Sequence, residues 1–410
     1  MSANLEAISP CTREETSLRF TLIDLFIVAA TLLAIGSGYR RGFWLSLAQY
    51  AGMLGGVVLG AALVPIAMDG LHVTGPTSRS VGAILVLVIV GAIGSSIGYG
   101  VGEPIRLRVL ARADRGRRDS LLGAVFSAFA VLSVSWFLGL SLARGPSPDL
   151  AQAIQRSALL RALDSVAPRP PSFLGRVEAI LSGVRFPSAF SGFEPLVPSP
   201  QAVPPTADTP GIRSAAAATF KIVGYGCGGI VFGSGFPVGS GLVLTNAHVV
   251  AGTQGTTVRT PEGQTLSARV VVFDPNRDVA ILSVPRLGAA ALGSALAQRG
   301  TTGAAIGYPG GGPETIQPAV VDGEVQAEGR DIYGQNLVVR HIWITEADVK
   351  PGNSGGPLVD QAGNVLGVIF AASTSQPGQA YALTDAEVEP DISAAAGRTR
   401  AVDVGPCALG

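Results

Sequence analysis

The residues best suited to chemistry are a histidine, an aspartate and a serine, which occur in this order as His248, Asp278 and Ser354. A serine hydroxyl is a poor nucleophile at neutral pH. It becomes reactive when an imidazole accepts its proton and a buried carboxylate fixes the imidazole tautomer. The sequence therefore predicts a serine that attacks a carbonyl carbon, with His248 as general base and Asp278 orienting the imidazole.

Each of these positions has a less specific interpretation. A histidine in an apolar run such as Asn246-Ala247-His248 is most often a satisfied core residue, and a Gly-x-Ser-Gly-Gly run is common in loops. Asp274 competes with Asp278, although it fits a turn residue equally well. Three elements in one order, each in an apolar strand context, favour the triad with Asp278.

The glycine before the serine supports the same chemistry. In Gly352-Asn353-Ser354, glycine lets the backbone turn the N–H groups of Gly352 and Ser354 inward. Two such donors would form an oxyanion hole, in which one donor is typically worth ~10²–10³ in turnover. No metal or other cofactor is expected.

The elements that must position these groups are short β-strands. From about residue 211 the chain consists of short apolar runs broken by glycine, as at 241–245 and 365–370. Many short strands of this kind predict an all-β domain of paired antiparallel barrels.

Four apolar stretches precede this domain, at about 22–38, 43–68, 80–101 and 121–142. Each can cross a hydrocarbon core of about 30 Å, which takes about 20 helical residues. A soluble bundle or a cleaved signal peptide explains four successive stretches less well. The sequence therefore predicts an N-terminal α-helical transmembrane domain of four spans.

Arginines indicate the orientation of these spans. The 103–119 segment, predicted as the loop between spans three and four, contains six of them, and Arg40 and Arg41 follow span one. The loop between spans two and three contains only Arg79. Basic loops stay in the cytoplasm, so an even number of spans places both termini and the β-rich domain outside.

The spans also contain small and charged residues at notable positions. Glycines recur every four residues at 52, 56 and 60 and again at 94, 98 and 102. This spacing allows close helix contact, within one bundle or at an oligomer seam; ordinary glycine enrichment is the competing interpretation. Asp24, near the outer end of span one, is either a functional carboxylate or a solvated one.

The chain between the spans and the barrels has two regions of different composition. Residues 143–183 show helical leucine spacing, which predicts one or two short amphipathic helices near the membrane surface. Residues 184–210 contain seven prolines and predict an extended linker. The expected organisation is a transmembrane domain at 1–143, a helical segment with linker at 144–210 and a β-barrel domain at 211–410.

Composition limits the partners. The net charge is zero and charged residues make up 14% of the chain, so no nucleic acid is expected to bind. The three cysteines, Cys11, Cys227 and Cys407, are too few for a disulfide scaffold and leave one or all of them free.

Both halves of the chain resemble known families. The segments at 233–236, 244–250, 278–282 and 352–358 resemble trypsin-like proteases of the HtrA/DegP kind. Asp24-Leu25-Phe26-Ile27 and the Gly38-Tyr39-Arg40-Arg41-Gly42-Phe43 run resemble the colicin V production (CvpA) family. Together they are similar to the MarP proteases, which are membrane-anchored, periplasmic and linked to acid resistance.

This resemblance implies further properties. It implies a chymotrypsin-like double β-barrel with the triad in the cleft, a Cys227–Cys407 disulfide, and peptide or protein substrates in the cell envelope. Self-cleavage is a further reaction open to such an enzyme. The trypsin-like pattern places Asp348 at the floor of the S1 pocket, with Ala371 and Ala372 as small walls. A shorter, HtrA-like loop would instead leave Asp348 solvated or paired with Lys350.

The sequence thus predicts a serine endopeptidase, anchored in the cytoplasmic membrane by four spans and acting outside it. Two alternatives stay open. One is a peptide-binding or sensing protein without catalysis. The other is a CvpA-type channel or transporter with an accessory protease. Reaction of Ser354 with a fluorophosphonate separates the enzyme from a binding module.

Overall fold

The structure is a computed structural model. It describes residues 21–70, 76–110, 116–143, 148–167, 189–195, 200–373 and 375–408. Cys11 and His72 lie outside these residues, as do residues 184–188 and 196–199 of the predicted linker.

Four long apolar helices form the N-terminal part, and they confirm the predicted transmembrane architecture. They are α1 (Leu22–Arg41), α2 (Phe43–Gly70), α3 (Pro76–Leu110) and α4 (Gly116–Leu142). Each is long and apolar enough to cross a membrane. The prediction of a loop over the whole of 103–119 is wrong, because α3 continues to Leu110 and α4 begins at Gly116.

Glycines bring α2 and α3 into backbone contact. A Cβ atom at Gly52 would lie 2.2 Å from the Gly94 carbonyl oxygen, and one at Gly94 would lie 2.2 Å from the Gly52 oxygen. Gly56 meets the Val90 carbonyl oxygen in the same way, at 2.4 Å. The four-residue glycine spacing therefore packs two helices within one bundle, where larger side chains would force the helices apart.

Asp24 joins α1 to the short helices that follow the spans, α5 (Pro148–Gln155) and α6 (Ala158–Val166). Its carboxylate accepts from the Thr21 backbone N–H at 2.6 Å, and from the Ser157 hydroxyl at 2.6 Å and the Leu159 N–H at 2.9 Å. Asp24 is fully buried, so the prediction of a solvated carboxylate is wrong. Its donors show a carboxylate that caps two helices at once.

The proline-rich region is not extended throughout, since residues 189–195, which we call the docked segment, pack on both halves of the molecule. The Ser191 N–H donates to the Glu328 carbonyl oxygen at 2.7 Å. The Phe190 ring lies 5.3 Å from the Tyr381 ring, edge to face. The Glu194 carboxylate accepts from the hydroxyls of Ser373 and Ser375, the latter at 2.7 Å.

The other side of the docked segment contacts the membrane half. The Arg161 guanidinium of α6 donates to the Glu194 carbonyl oxygen at 2.8 Å. Asp164 accepts from the Phe193 N–H at 3.2 Å and from the Trp136 indole N–H of α4 at 3.0 Å. Residues 189–195 therefore connect a membrane span to the β-rich domain through consecutive hydrogen bonds.

The β-rich part forms two curled antiparallel sheets after helix α7 (Pro210–Ala217). The first has seven strands in the order β5-β4-β1-β2-β3-β7-β6. Its strands are β1 (Phe220–Gly226), β2 (Gly229–Gly239), β3 (Leu242–Thr245), β4 (Thr253–Arg259), β5 (Thr265–Ser267), β6 (Arg269–Asp274) and β7 (Val279–Ser283).

The second sheet is a closed barrel in the order β10-β13-β12-β11-β8-β9. Its strands are β8 (Thr302–Gly307), β9 (Thr315–Arg330), β10 (Leu337–Glu346), β11 (Pro357–Asp360), β12 (Val365–Ala372) and β13 (Gln379–Thr384). Two short helices accompany the sheets, α8 (Ala247–Val250) after β3 and α9 (Asp385–Ala395) after β13. The predicted double barrel is confirmed.

Candidate active site

His248 lies on α8, immediately after the buried strand β3. Its Nδ1 atom is 2.7 Å from Asp278 Oδ2, and its backbone N–H donates to Asp278 Oδ1 at 2.9 Å. One carboxylate therefore holds both the imidazole and the start of the helix that carries it. This contact leaves Nε2 as the ring nitrogen that can accept a proton.

The two candidate aspartates have different surroundings. Asp274 accepts from the backbone N–H groups of Asn276 and Arg277 at 2.8 and 3.0 Å, so it closes the turn between β6 and β7. Asp278 is 1% exposed and has a positive φ of 65°, which is unfavourable for a residue with a side chain. The structure thus brings Asp278, and not Asp274, to His248.

The serine loop packs against the strand that leads to His248. A Cβ atom at Gly355 would lie 2.4 Å from Thr245 Oγ1 and 2.9 Å from the Asn246 nitrogen. Gly355 also has φ +82°, so glycine is required there for both space and conformation. Ser354, its neighbour, is 3% exposed.

Hydrogen bonds fix the peptide groups that precede Gly352 and Ser354. The Pro351 carbonyl oxygen accepts from the Gly310 N–H at 2.7 Å, and the Asn353 oxygen accepts from the Gly356 N–H at 2.9 Å. In a planar trans peptide the N–H points away from the C=O. The N–H groups of Gly352 and Ser354 therefore point away from these two anchored oxygens.

Ser234 on β2 is a residue to which sequence reasoning gave no role. Its hydroxyl donates to the Gly352 carbonyl oxygen at 2.7 Å and accepts from the Tyr308 N–H at 3.0 Å. Its own N–H donates to the Ser354 carbonyl oxygen at 2.8 Å. Ser234 is fully buried, and it links the first sheet to the serine loop. The Gly-Ser-Gly run at 233–235 was the available signal.

The predicted S1 residues do not form a charged pocket. Asp348 is exposed, and its carboxylate lies 3.3 Å from the Lys350 ammonium in solvent. This arrangement favours the HtrA-like alternative, because a solvated ion pair supplies no desolvated charge for a substrate. Ala371 is fully buried and Ala372 half-buried at the end of β12.

A disulfide joins Cys227, in the turn between β1 and β2, to Cys407 near the C-terminus. A Cβ atom at Gly252 would lie 2.8 Å from the Cys407 nitrogen. The Gly252 N–H donates to the Val404 carbonyl oxygen. The C-terminal tail is therefore fastened beside the residues that follow the His248 helix.

Three carboxyl groups in the β-rich part and its C-terminal helix have raised pKa values because burial disfavours their charged form. Burial raises the pKa of Glu314 to about 7, and that of Glu346, which has Asp322 beside it, to about 7. Burial and the neighbouring Asp274 raise the pKa of Asp391 to about 6. These groups titrate near neutral pH in the folded protein.

The double barrel, the His248–Asp278 contact and the Ser354 loop packed beside β3 are features of a chymotrypsin-like serine endopeptidase. Comparisons with known proteins agree. The trypsin-like peptidase domain model matches residues 233–368, and the colicin V production protein model matches residues 23–168. The chain belongs to the MarP-like family of serine proteases, in which these two domains are joined.

The family assignment rests on full-length similarity. Serine protease Rv3671c of Mycobacterium tuberculosis is 32% identical over 395 residues, which cover 94% of this chain and 98% of that protein. The crystal structure of its active form is 37% identical, covers 52% of this chain and 98% of that one, and has a TM-score of 0.48. The Do-like HtrA protease of Lactobacillus helveticus is 33% identical over 37% of this chain and 38% of its own length.

Proposed function

We propose that His248, Asp278 and Ser354 form the catalytic triad of a membrane-anchored endopeptidase that works outside the cytoplasmic membrane. The observation that carries this proposal is the 2.7 Å contact between His248 Nδ1 and the buried Asp278 carboxylate, on the strand end against which the Ser354 loop packs.

The proposed reaction is acyl transfer from a peptide to Ser354. His248 accepts the hydroxyl proton as Ser354 Oγ attacks the carbonyl carbon, and Asp278 stabilises the imidazolium. The N–H groups of Gly352 and Ser354 bind the negative oxygen of the tetrahedral intermediate. His248 then gives its proton to the leaving amine, and water hydrolyses the acyl-enzyme by the same route in reverse.

The test is labelling of the full-length protein in detergent micelles with a fluorophosphonate. Ser354 Oγ displaces fluoride from phosphorus, and its proton passes to His248. We expect labelling of the wild type and none of Ser354→Ala, with the Ser375→Ala variant as the matched control that still labels. Labelling that survives Ser354→Ala would place the nucleophile at another residue and overturn the triad. A wild type that does not label would favour the peptide-binding or transport alternatives.

For specificity, we propose a preference for small or aliphatic P1 residues. It is supported by the alanines at the end of β12 and by Asp348, which lies in solvent. Cleavage of a mixed peptide library should show aliphatic P1 residues, unchanged in Asp348→Ala. A preference for Arg or Lys that disappears in Asp348→Ala would contradict this proposal.

The protease domain is proposed to face outward, because the arginines at 40, 41, 106, 108, 117 and 118 lie at the α1–α2 and α3–α4 connections. A reporter that is active only outside the cytoplasm, fused after Gly410, should be active. An active cytoplasmic reporter at the same site would invert the topology.

The physiological role that we propose is proteolysis of envelope proteins under acid or envelope stress, as the resemblance to MarP proteases implies. A deletion strain should grow poorly at low pH and recover with the wild type but not with Ser354→Ala. Self-cleavage is tested in the same strains. A shortened form that appears with the wild type alone supports it, and one that persists in Ser354→Ala refutes it.

A further inference from the structure

The turn between β6 and β7 holds its last residue in an unfavourable conformation. Asp278 has φ +65°, a conformation that a residue with a side chain keeps only where surrounding contacts impose it. Asp274 ties the middle of the turn from within, through the N–H groups of Asn276 and Arg277. The Asn246 amide donates to the carbonyl oxygen of Asp278 at 2.8 Å, and the carbonyl oxygen of Asn276 is held by a residue of the second barrel.

Arg340 supplies that contact from the second barrel. It lies on β10, opposite Ala327 of β9, and is 2% exposed. Its Nε atom donates to the Asn276 carbonyl oxygen at 2.8 Å, and Nη2 donates to the Arg330 carbonyl oxygen at 2.9 Å. One planar guanidinium therefore joins the turn of the first barrel to the end of β9 in the second.

The surroundings of Arg340 fix its position. Its guanidinium carbon lies 6.0 Å from the centroid of the buried Phe370 ring on β12. A Cβ atom at Gly329 would lie 3.1 Å from Nη1, so the chain at 329 is close against the guanidinium. A side chain packed on an aromatic ring and held by two carbonyl oxygens has few alternative rotamers.

The charge of Arg340 matters as well as its shape. Burial lowers the pKa of Arg340, and among the nearby charges that oppose this effect Asp278 contributes most, ahead of Glu387, Asp274 and Asp331. Burying a cation is unfavourable without compensating groups. The hydrogen bond to Asn276, two residues before Asp278, brings the Arg340 guanidinium to the turn that carries this carboxylate.

We propose that Arg340 is a positioning residue of the active site, which fixes the Asp278 turn across the barrel seam and balances the carboxylate that faces His248. This proposal rests on the proposed triad and adds a group from the second barrel to it. Arg340 acts through Asn276 and Asp278, and not by contact with substrate.

The first test is Arg340→Met, which keeps the length of the side chain and removes its charge and donors. In full-length protein in detergent, the maximal rate of fluorophosphonate labelling should fall by about 10- to 100-fold, the scale expected for a misplacement near 1 Å. The probe concentration for half-maximal rate should change little. Arg259→Met, at an exposed arginine on β4, is the control and should label at the wild-type rate.

A pH profile separates positioning from simple stability. Without the cation, the Asp278 carboxylate favours a protonated His248 more strongly. The acidic limb of the labelling profile should therefore move to higher pH in Arg340→Met. Arg340→Lys keeps the positive charge but loses the planar pair of guanidinium donors. Its acidic limb should therefore stay at the wild-type pH, while its maximal labelling rate should lie between that of Arg340→Met and that of the wild type.

The outcomes are distinguishable even if Arg340→Met folds poorly. Arg340→Lys provides a second variant, and the downfield proton resonance of the His248–Asp278 contact is measured on folded protein. The proposal would be overturned if folded Arg340→Lys and Arg340→Met both kept the wild-type labelling rate, the wild-type acidic limb and the wild-type proton resonance. The role of Arg340 would then be purely structural. A wild type that never labels at Ser354 would instead refute the proposed function.

Discussion

The membrane bundle and the protease domain each depend on one fully buried aspartate, but the donors around the two carboxylates differ. Asp24 accepts from hydroxyl and backbone groups of Thr21, Ser157 and Leu159, none of which titrates near neutral pH. Asp278 accepts from one backbone N–H and from the His248 ring. Burial alone therefore does not indicate chemistry at an aspartate.

The difference shows what to examine at a buried carboxylate. Fixed donors surround the Asp24 carboxylate, so it caps helices. The Asp278 carboxylate instead contacts an imidazole, and in the proposed mechanism it stabilises the imidazolium that forms during the reaction. The same substitution at both positions should therefore have opposite consequences for activity and for structure.

The largest effect is expected for Asp278→Asn. An amide favours the wrong histidine tautomer, so the labelling rate of Ser354 should fall by roughly 10⁴-fold while the fold persists. Fluorophosphonate kinetics on the full-length chain measure the loss. Asp274→Asn, four residues earlier in the same turn, should have a small effect; if it is the damaging change and Asp278→Asn is silent, the assignment is incorrect.

Removal of the disulfide is expected to have the next largest effect. Cys227 and Cys407 are 180 residues apart, and closing a long loop contributes about 4–5 kcal/mol in the chain-entropy model, often less. Cys227→Ser with Cys407→Ser should lower the temperature at which fluorophosphonate labelling is lost. An unchanged temperature, or free thiols in a non-reduced digest of the wild type, would contradict this expectation.

Asp24→Asn should destabilise the junction of α1 and α6 and leave catalysis intact. The side-chain NH₂ group of the new asparagine would face the N–H and O–H donors that Asp24 accepts from. A buried donor without an acceptor lowers the stability by about 1–3 kcal/mol. Hydrogen exchange in residues 148–167 should become faster, and the labelling rate of Ser354 should stay within a factor of about two. A large loss of labelling with unchanged exchange would remove the distinction between the two aspartates.

The smallest effect is a dependence of stability on pH that originates in the barrels. Glu314 and Glu346 have folded pKa values of about 7, and Asp391 of about 6. All three are raised above their unfolded values, so the folded protein binds more protons and is stabilised as the pH falls toward about 5. The unfolding temperature should be higher at about pH 5.5 than at about pH 7.5, and Glu346→Gln should reduce that difference. An unfolding temperature that rises with pH over this range would show that other titratable groups dominate the pH dependence of stability.

The features that could be predicted from the sequence are those that contiguous residues specify. Apolar runs of sufficient length specify spans, and glycine-bounded runs around His248 and Ser354 specify the local geometry of a nucleophile and its base. The unpredicted features depend on partners distant in sequence. Asp24 meets Ser157, Arg340 meets Asn276, and Glu194 meets Ser375 only after folding. The surroundings of Asp348 depend on a loop length that spacing does not fix.

The docked segment sets the working distance of the enzyme from the bilayer. A free linker can extend by about 3.3 Å for each residue, which would let the protease sweep a wide volume. Instead, residues 193 and 194 bind α6 while Glu194 also holds Ser375, so these hydrogen bonds restrict the distance between the protease domain and the spans. With the proposed outward orientation, substrates close to the membrane surface would be within reach of the enzyme.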